Sequence, residues 1–172
     1  CSRNVNPTIK YHVADPFLHI INKSDDRELI RCLHEDDLDG LKKLYFKDPT
    51  KPNYKLLTHK LLTGYPGNTS LLEAIAYESN KITSFICAQA NVNLDETNRD
   101  KNTALHLAAL LGNSVLCHLL LKYGATQDMK NEIGDTPLHS ATRSGEFDVV
   151  SVLLNGGASV TAKNTLGENP LH

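Results

Sequence analysis

Apolar residues recur along much of the chain at spacings of three and four, the spacing at which side chains share one face of an α-helix. In residues 134–158 this pattern predicts a first helix after Thr136-Pro137 and a second helix through residues 149–154. A threonine hydroxyl can cap the start of a helix, and proline fits the first helical position. Gly145 and Gly157 then end the two helices, because glycine readily adopts the left-handed conformation found at helix ends. The segment is therefore predicted to form a turn followed by two helices.

The same pattern returns at a fixed spacing. Thr-Ala-Leu-His-Leu-Ala-Ala at 103–109 recurs as Thr-Pro-Leu-His-Ser-Ala-Thr at 136–142, which is 33 residues later. A third copy begins at Gly167 and reaches His172, again 33 residues further on. One such helical pair has too little interior to be stable alone, so neighbouring copies are expected to stack in sequence order.

These residues resemble the ankyrin repeat family. The resemblance implies an all-α fold, an ankyrin-repeat solenoid of stacked helix-turn-helix units with short hairpin fingers. His106, His139 and His172 recur with the period. In that family the imidazole at this position hydrogen-bonds the backbone between repeats, so we expect a structural role and not metal binding or catalysis.

The pattern divides the chain into seven predicted segments. They are an N-terminal non-repeat segment or the end of a preceding domain (1–24), a divergent repeat 1 (25–48), an insertion with a short helix (49–66), repeat 2 (67–99), repeat 3 (100–132), repeat 4 (133–165) and the truncated start of a further repeat (166–172). Because residue 1 is not Met and the last repeat is unfinished, we expect this chain to be part of a longer one.

The early repeats depart from the pattern. Asp25 and Glu28 have the spacing of a capping box at the start of repeat 1. Asp36 aligns with Gly112 and Gly145, and Glu78 stands at the same position in repeat 2. The insertion carries helical spacing of its own, and it either recognises a partner or fills a gap in the stack.

The composition argues against some classes of function. The net charge of -2 and pI near 6.5 provide no basic field for nucleic acid. No apolar run approaches the roughly 18 residues of a membrane span, so a membrane role is not expected. The cysteines lack Cys-x-x-Cys spacing, and three of the four fall on predicted helices as small apolar groups. A reducing, intracellular and cytoplasmic setting is favoured, which would be the host cytoplasm for a secreted effector.

Catalytic and metal-binding patterns were sought along the chain. Cys117 and His118 are adjacent and cannot face one ion on a helix, and neither a His-Glu-x-x-His motif nor a phosphate-binding glycine loop occurs. We therefore predict no catalytic residue, no metal, no cofactor and no enzyme activity. A thiol enzyme using Cys1 with His12 or His19 is a weaker hypothesis.

The remaining function is recognition through the surface. The resemblance implies that fingertips and the concave face of the first helices bind a protein partner. Several residues at these positions are apolar, which is typical of an interaction site, although some of the leucines could instead be buried by the next repeat. The predicted partner-binding residues are Tyr77, Arg99, Asp100, Asn102, Leu110, Leu111, Tyr123, Glu132, Ile133, Asp135, Arg143, Ser144, Thr165 and Leu166.

The sequence thus predicts a non-catalytic protein-protein interaction module, a rigid scaffold whose partner the sequence does not identify. The alternative is a regulatory or substrate-recruiting domain of a larger enzyme, channel or secreted bacterial effector, with its catalytic part outside these residues.

Overall fold

The structure is a computed structural model that describes residues 23–48, 50, 52–53, 55–58 and 68–171. An isolated β-bridge pairs Thr97 with Thr103, and the regular elements in the described ranges are helices. The predicted all-α class is confirmed. The hypothesis of a thiol enzyme at Cys1, and most of the predicted N-terminal segment, lie outside the described residues. The helices are α1 (Lys23–Glu35), α2 (Leu38–Tyr45), α3 (Lys55–Thr58), α4 (Ser70–Ala76), α5 (Asn80–Cys87), α6 (Ala104–Leu110), α7 (Ser114–Lys122), α8 (Pro137–Ser144) and α9 (Phe147–Asn155).

The helices pack in two layers. In the first-helix layer, α1 contacts α4, α4 contacts α6, and α6 contacts α8. In the second-helix layer, α2 contacts α5, α5 contacts α7, and α7 contacts α9. Each first helix also packs against the second helix that follows it in the chain. The pairs therefore stack in sequence order, as a solenoid does.

The core lies between the layers and between neighbouring pairs. In α6, Ala104, Leu105, Ala108 and Ala109 are almost fully buried, and Leu116 of α7 lies beneath them in the same apolar cluster. Alanines at these positions allow α4 and α8 to approach α6 closely from both sides, because a close-packed interior leaves no room for larger groups there.

The cysteines in the described part of the chain belong to this core. Cys32, Cys87 and Cys117 are free thiols, and all are buried. Burial raises the pKa of Cys87 and of Cys117 to about 12. A thiol that does not ionise near neutral pH is neither a nucleophile nor a ready metal ligand, so these side chains act as small apolar groups.

A left-handed residue ends each first helix. Gly112 and Gly145 have φ of 74° and 73°, and Asp36 and Glu78 adopt φ of 52° and 55° at the same place in the earlier pairs. The predicted alignment of Asp36 with the two glycines is therefore confirmed. Asp36 Oδ1 accepts a hydrogen bond of 3.0 Å from the N–H of Ile82 at the start of α5. The carboxylate thus caps a helix of the next pair, which offsets the backbone strain of a non-glycine residue.

One capping prediction is wrong. The structure describes α1 from Lys23, so Asp25 lies within the helix and not at the position before it. Acidic residues are favourable throughout the first turn because of the helix dipole, and for that reason their spacing did not mark the boundary.

The insertion contributes α3, which packs on α4. Leu56 and Leu57 are buried, and the hydroxyl of Ser70 donates a 2.7 Å hydrogen bond to the carbonyl of Leu56. These contacts support the gap-filling interpretation for residues 55–58. Residues 59–67 of the predicted insertion helix and of the restart of the repeat lie outside the described residues.

The repeating histidines connect one pair to the next. His106 Nε2 donates to the carbonyl of Asp135 at 2.9 Å, and its Nδ1 accepts from the N–H of Thr103 at 3.2 Å. His139 makes the equivalent bond to the carbonyl of Glu168 at 3.1 Å. The predicted structural role is confirmed for His106 and His139, and His172 lies outside the described residues.

The backbone at Lys101 generates a stability prediction. Lys101 has φ of 57° where Gly134 and Gly167 have φ of 76° and 77°. A left-handed lysine costs about 1 kcal/mol or more, so Lys101→Gly is expected to raise the free energy of unfolding by about 1 kcal/mol in urea titrations. Lys43→Gly is the control, because it removes a similar exposed side chain from within α2. It should lower the free energy of unfolding by about 1 kcal/mol.

The opposite change, from glycine to a residue with a side chain, tests the equivalent position in the next repeat. A Cβ at Gly134 would lie 2.8 Å from the backbone nitrogen of Thr165, besides having an unfavourable φ. Gly134→Ala should therefore destabilise the protein by more than about 1 kcal/mol. A loss of stability in Lys101→Gly would contradict this account of the turn.

The environment of His106 predicts a pH dependence. Burial lowers the pKa of His106 below its ordinary value, although the bond to Asp135 opposes the shift. The unfolded chain therefore binds the proton first, and stability falls as pH drops below about 6.5 towards the folded pKa. Thermal or urea unfolding between neutral pH and mildly acidic pH would measure the slope.

Two glutamine variants isolate the histidine responsible. His106→Gln should weaken the pH dependence and also lower stability by about 1–3 kcal/mol, because buried hydrogen bonds are lost. His118→Gln, at an exposed position on α7, should leave the slope unchanged. An equal slope in wild type and His106→Gln would show that another group is responsible.

Candidate protein-interaction surface

The two residues before each left-handed position occupy equivalent places on neighbouring first helices. Because these helices contact one another, the pairs form a continuous row across the first-helix layer. We refer to this set as the helix row. It comprises His34 and Glu35, Ala76 and Tyr77, Leu110 and Leu111, and Arg143 and Ser144.

Most of the predicted partner-binding residues are exposed. On the helix row, Tyr77 is 42% exposed and Leu110 is 56% exposed. At the fingertips, Ile133 is 51% exposed and Leu166 is 79% exposed. Large apolar side chains left open in this way are typical of interaction surfaces. The polar members Arg99, Asp100, Glu132, Arg143, Ser144 and Thr165 are exposed as well.

Three of the predicted partner-binding residues are partly buried or lie away from the helix row. Leu111 is partly buried against the core, which is the alternative that the sequence left open for the leucines. Asn102 is half-buried, and its side-chain oxygen accepts a 3.0 Å hydrogen bond from Asn131 Nδ2. Tyr123 caps the end of α7 and so belongs to the second-helix layer, apart from the helix row.

The prediction that Asp135 is exposed at a fingertip is wrong. Its side chain is buried, and Oδ1 accepts a 3.0 Å hydrogen bond from Asn164 Nδ2 of the following finger. Arg143 Nη1 lies 2.7 Å from Asp135 Oδ2 as an ion pair without hydrogen-bond geometry. Asp135 turns inward, towards Asn164 of the following finger and Arg143 of α8. The ion pair also shows that the helix row lies beside the fingers.

Three asparagines at equivalent positions, Asn98, Asn131 and Asn164, form what we call the asparagine ladder. Each holds its own finger, and Asn131 and Asn164 also donate a hydrogen bond to the preceding finger. Asn131 Oδ1 accepts hydrogen bonds from the N–H groups of Ile133 and Asp135, at 3.1 and 3.0 Å. Asn98 and Asn164 hold their own fingers in the same way, at 33-residue spacing. Successive fingers are also linked directly, since the N–H of Thr165 donates to the carbonyl of Ile133 at 3.1 Å. The fingertips are therefore held at fixed positions relative to one another.

At the other end of the helix row, two aromatic rings stack. The His34 and Tyr77 rings lie 3.5 Å apart with an angle of 20° between their planes. His34 Nε2 also donates to Glu73 Oε1 at 3.1 Å, and Asn68 Nδ2 donates to Glu73 Oε2 at 3.2 Å. The Glu73 carboxyl group is completely buried beneath this end of the row.

Sequence reasoning missed both of these features. The asparagine ladder had a usable signal, because Asn98, Asn131 and Asn164 recur at the same period as the helix residues. The cluster of His34, Glu73 and Tyr77 had none. Its members lie on different repeats, and the later repeats have Leu107 and Ser140 at the position of Glu73.

Other kinds of site find little support in the described part of the chain. No group of three or more His, Cys, Asp or Glu side chains is placed there to hold a metal ion. Among the described helices, none combines the length and apolar character needed to cross a membrane.

Comparison with known proteins agrees with this architecture. A family model described as "Ankyrin repeats (3 copies)" matches residues 8–131 and also residues 71–164. The chain is similar to alpha-latrotoxin-Lg1a of Latrodectus geometricus, with 40% identity over 58 residues. That alignment covers 33% of this chain and only 4% of the toxin. Ankyrin repeats are generally protein-protein interaction modules. Because the family model spans most of the chain, including the stacked helical pairs, this protein belongs to the ankyrin repeat family.

Proposed function

We propose that this protein binds a protein partner through the helix row and the fingertips, and that it does so without catalysis. We call the exposed part of this surface the interaction face. It comprises Tyr77, Leu110 and Arg143 on the first helices with Ile133 and Leu166 on the fingers. The observation that carries the proposal is the exposure of large apolar side chains along this face, from Tyr77 in repeat 2 to Leu166 in the last predicted segment.

The shape of the interaction face is held by bonds within the chain. The asparagine ladder fixes the fingers, and the Arg143–Asp135 ion pair joins a finger to α8. A partner therefore meets a surface whose side chains are already positioned, so little side-chain and loop entropy of this protein is lost on binding. This is how a solenoid can bind selectively through its surface.

The composition of the face also suits a protein partner. Its centre is apolar, and charged residues of both signs lie around it on the fingers, including Arg99, Asp100 and Glu132. An apolar centre with a polar rim is the usual arrangement in protein interfaces. The predicted intracellular location, and the host cytoplasm for a secreted effector, stay predictions.

A second candidate places the same surface within a larger protein. Ankyrin repeats are typically non-catalytic, and the similar stretch of alpha-latrotoxin-Lg1a is 4% of that protein's length. On this hypothesis the repeats recruit or regulate, while an enzyme, channel or effector activity belongs to other parts of a longer chain. Sequencing the full-length transcript would distinguish the two, since a catalytic or channel-forming segment would favour the second.

The proposed function predicts the effect of charges placed on the face. Leu110→Asp and Ile133→Asp should each reduce capture of the partner by about tenfold or more, because apolar side chains at interface centres contribute most to binding. Partner capture would be measured by quantitative mass spectrometry after affinity purification with residues 1–172. Leu110 is more informative than Leu111, which also packs against the core.

The matched control is Val115→Asp. Val115 is 64% exposed on α7, so this change adds the same charge at an open apolar position of the second-helix layer. It should leave capture unchanged, and all three variants should melt close to the wild-type temperature. Equal loss of capture in Val115→Asp, or unchanged capture in both face variants, would refute the proposed surface.

A further inference from the structure

One imidazole links the start of α6 to the finger that carries Ile133. We refer to residues 131–135 as the central finger. His106 Nε2 donates to the carbonyl of Asp135 at 2.9 Å, and the N–H of Asn131 donates to the same carbonyl at 2.9 Å. The carbonyl that closes the central finger is therefore also the one that His106 binds. Movement of the ring out of its site would remove this bond between α6 and the finger.

The site around His106 accommodates the neutral ring. The side chain is 1% exposed, and Nδ1 accepts a 3.2 Å hydrogen bond from the N–H of Thr103. A protonated ring carries a hydrogen on both nitrogens, so Nδ1 would face the Thr103 N–H as a second donor. The Thr103 hydroxyl, 2.9 Å from Nδ1, can accept from the protonated ring, but the buried N–H then loses its acceptor. Protonation therefore favours a conformation in which water reaches the ring.

The charged groups that face His106 act in both directions. Burial lowers the pKa of His106 below its ordinary value and is the largest influence. Asp135 opposes this shift through its hydrogen bond and its carboxylate, whereas His139 on α8 adds to it. The Asp135 carboxylate is also paired with Arg143, so that cation shares its charge. The closed site therefore favours the neutral ring.

The titratable side chains on the other elements around α6 have environments of their own. Glu73 of α4 is hydrogen-bonded to His34, and His118 and Lys122 of α7 are exposed. Cys117 of α7 is buried, and its pKa of about 12 keeps it neutral. The charged side chains of the preceding finger, Arg99, Asp100 and Lys101, are exposed as well. The proton affinity of the His106 ring is therefore determined mainly by its burial and by the finger that it binds.

The central finger is held by hydrogen bonds and not by buried apolar side chains. Glu132 and Ile133 are exposed, while the N–H groups of all five residues of the finger are hydrogen-bonded. A segment of this kind opens locally at a lower free-energy cost than a packed helix. Since Ile133 belongs to the interaction face, opening of the central finger would remove an apolar contact of that face and its fixed geometry.

The first two repeats are connected without this imidazole. Ile30 and Leu72 stand at the position that His106 occupies in repeat 3. Their connection uses other groups, since Asp36 Oδ1 accepts a 3.0 Å hydrogen bond from the N–H of Ile82. A carboxylate of ordinary pKa stays ionised at mildly acidic pH, so this bond is kept there. Protonation of an imidazole at this position therefore concerns the later repeats.

We propose that uptake of a proton by His106 opens the central finger and releases a protein partner from the interaction face at mildly acidic pH, while the first two repeats stay folded. This inference rests on the proposed function and adds its regulation. A partner that requires the closed finger binds the neutral form of the ring preferentially. By linkage, its affinity is highest at neutral pH and falls as pH drops below about 6.5.

Hydrogen exchange of the free 172-residue protein, followed by NMR at pH about 7.5 and about 5.5, measures the opening. After correction for intrinsic rates, the amides of the central finger should lose protection by about threefold or more at the lower pH. The amides of α4 and α5 should keep theirs, since that repeat has Leu72 in place of the histidine.

Two variants assign the effect to one ring. His106→Gln should remove the pH dependence of exchange in the central finger, and His118→Gln, at an exposed position on α7, should retain it. If His106→Gln does not fold, the wild-type protein decides the matter. The NMR titration of the His106 ring and the loss of protection should then have the same midpoint.

A peptide probe tests release. A random peptide library displayed on phage would be panned against the protein at pH about 7.5. A recovered peptide without histidine, which Leu110→Asp and Ile133→Asp both bind more weakly, would be labelled for fluorescence anisotropy. Its Kd should rise by about threefold or more between pH 7.5 and 5.5 for wild type and His118→Gln, and by clearly less for His106→Gln.

The outcomes separate this inference from the proposed function. Equal protection of the central finger at the two pH values, an unchanged Kd, or the same rise in Kd for wild type and His106→Gln would overturn acid release and leave the proposed function standing. Peptides that bind Leu110→Asp and Ile133→Asp as tightly as wild type would refute the proposed function, and the release of a partner with it.

Discussion

The hydrogen bond from a buried imidazole to the next repeat sets the geometry of this solenoid. His106 reaches the carbonyl of Asp135, and His139 reaches that of Glu168. Each bond ties the start of a first helix to the finger that follows it. The apolar contacts between helices provide most of the stabilisation, but they are not directional and would tolerate sliding. The imidazole bonds are directional and would break if the repeats slid past one another. They therefore fix the register in which the leucine and alanine faces pack.

The interaction face is a consequence of that register. Once each finger is bound to the preceding first helix, the asparagine ladder holds Asn131 and Asn164 in line, and the fingertip residues Ile133 and Leu166 project at a regular spacing. No pocket or catalytic group is needed for such a surface to act. Selectivity arises because side chains from several repeats are presented together in one rigid arrangement.

The first repeats are joined by different bonds, and this gives the face its asymmetry. Repeat 2 has Leu72 where the later repeats have histidine. Asp36 caps α5, the Ser79 hydroxyl donates to the carbonyl of Leu33, and His34 binds the buried carboxylate of Glu73. Polar side chains here connect the repeats in place of the imidazole bond. This end of the helix row carries the stacked rings of His34 and Tyr77, whereas the later repeats present an apolar surface.

The sequence by itself determined the all-α class, the order of the helical pairs, and the ends of α8 at Thr136 and Gly145. Caps and left-handed turns depend on neighbouring residues, and a fixed period requires equivalent packing in each copy. Only the tertiary structure decided that Asp135 turns inward, that Leu111 is half-buried, and that Glu73, His34 and Tyr77 form one cluster. Each of these depends on contacts between residues roughly one repeat apart, where burial and a specific partner outweigh the local pattern.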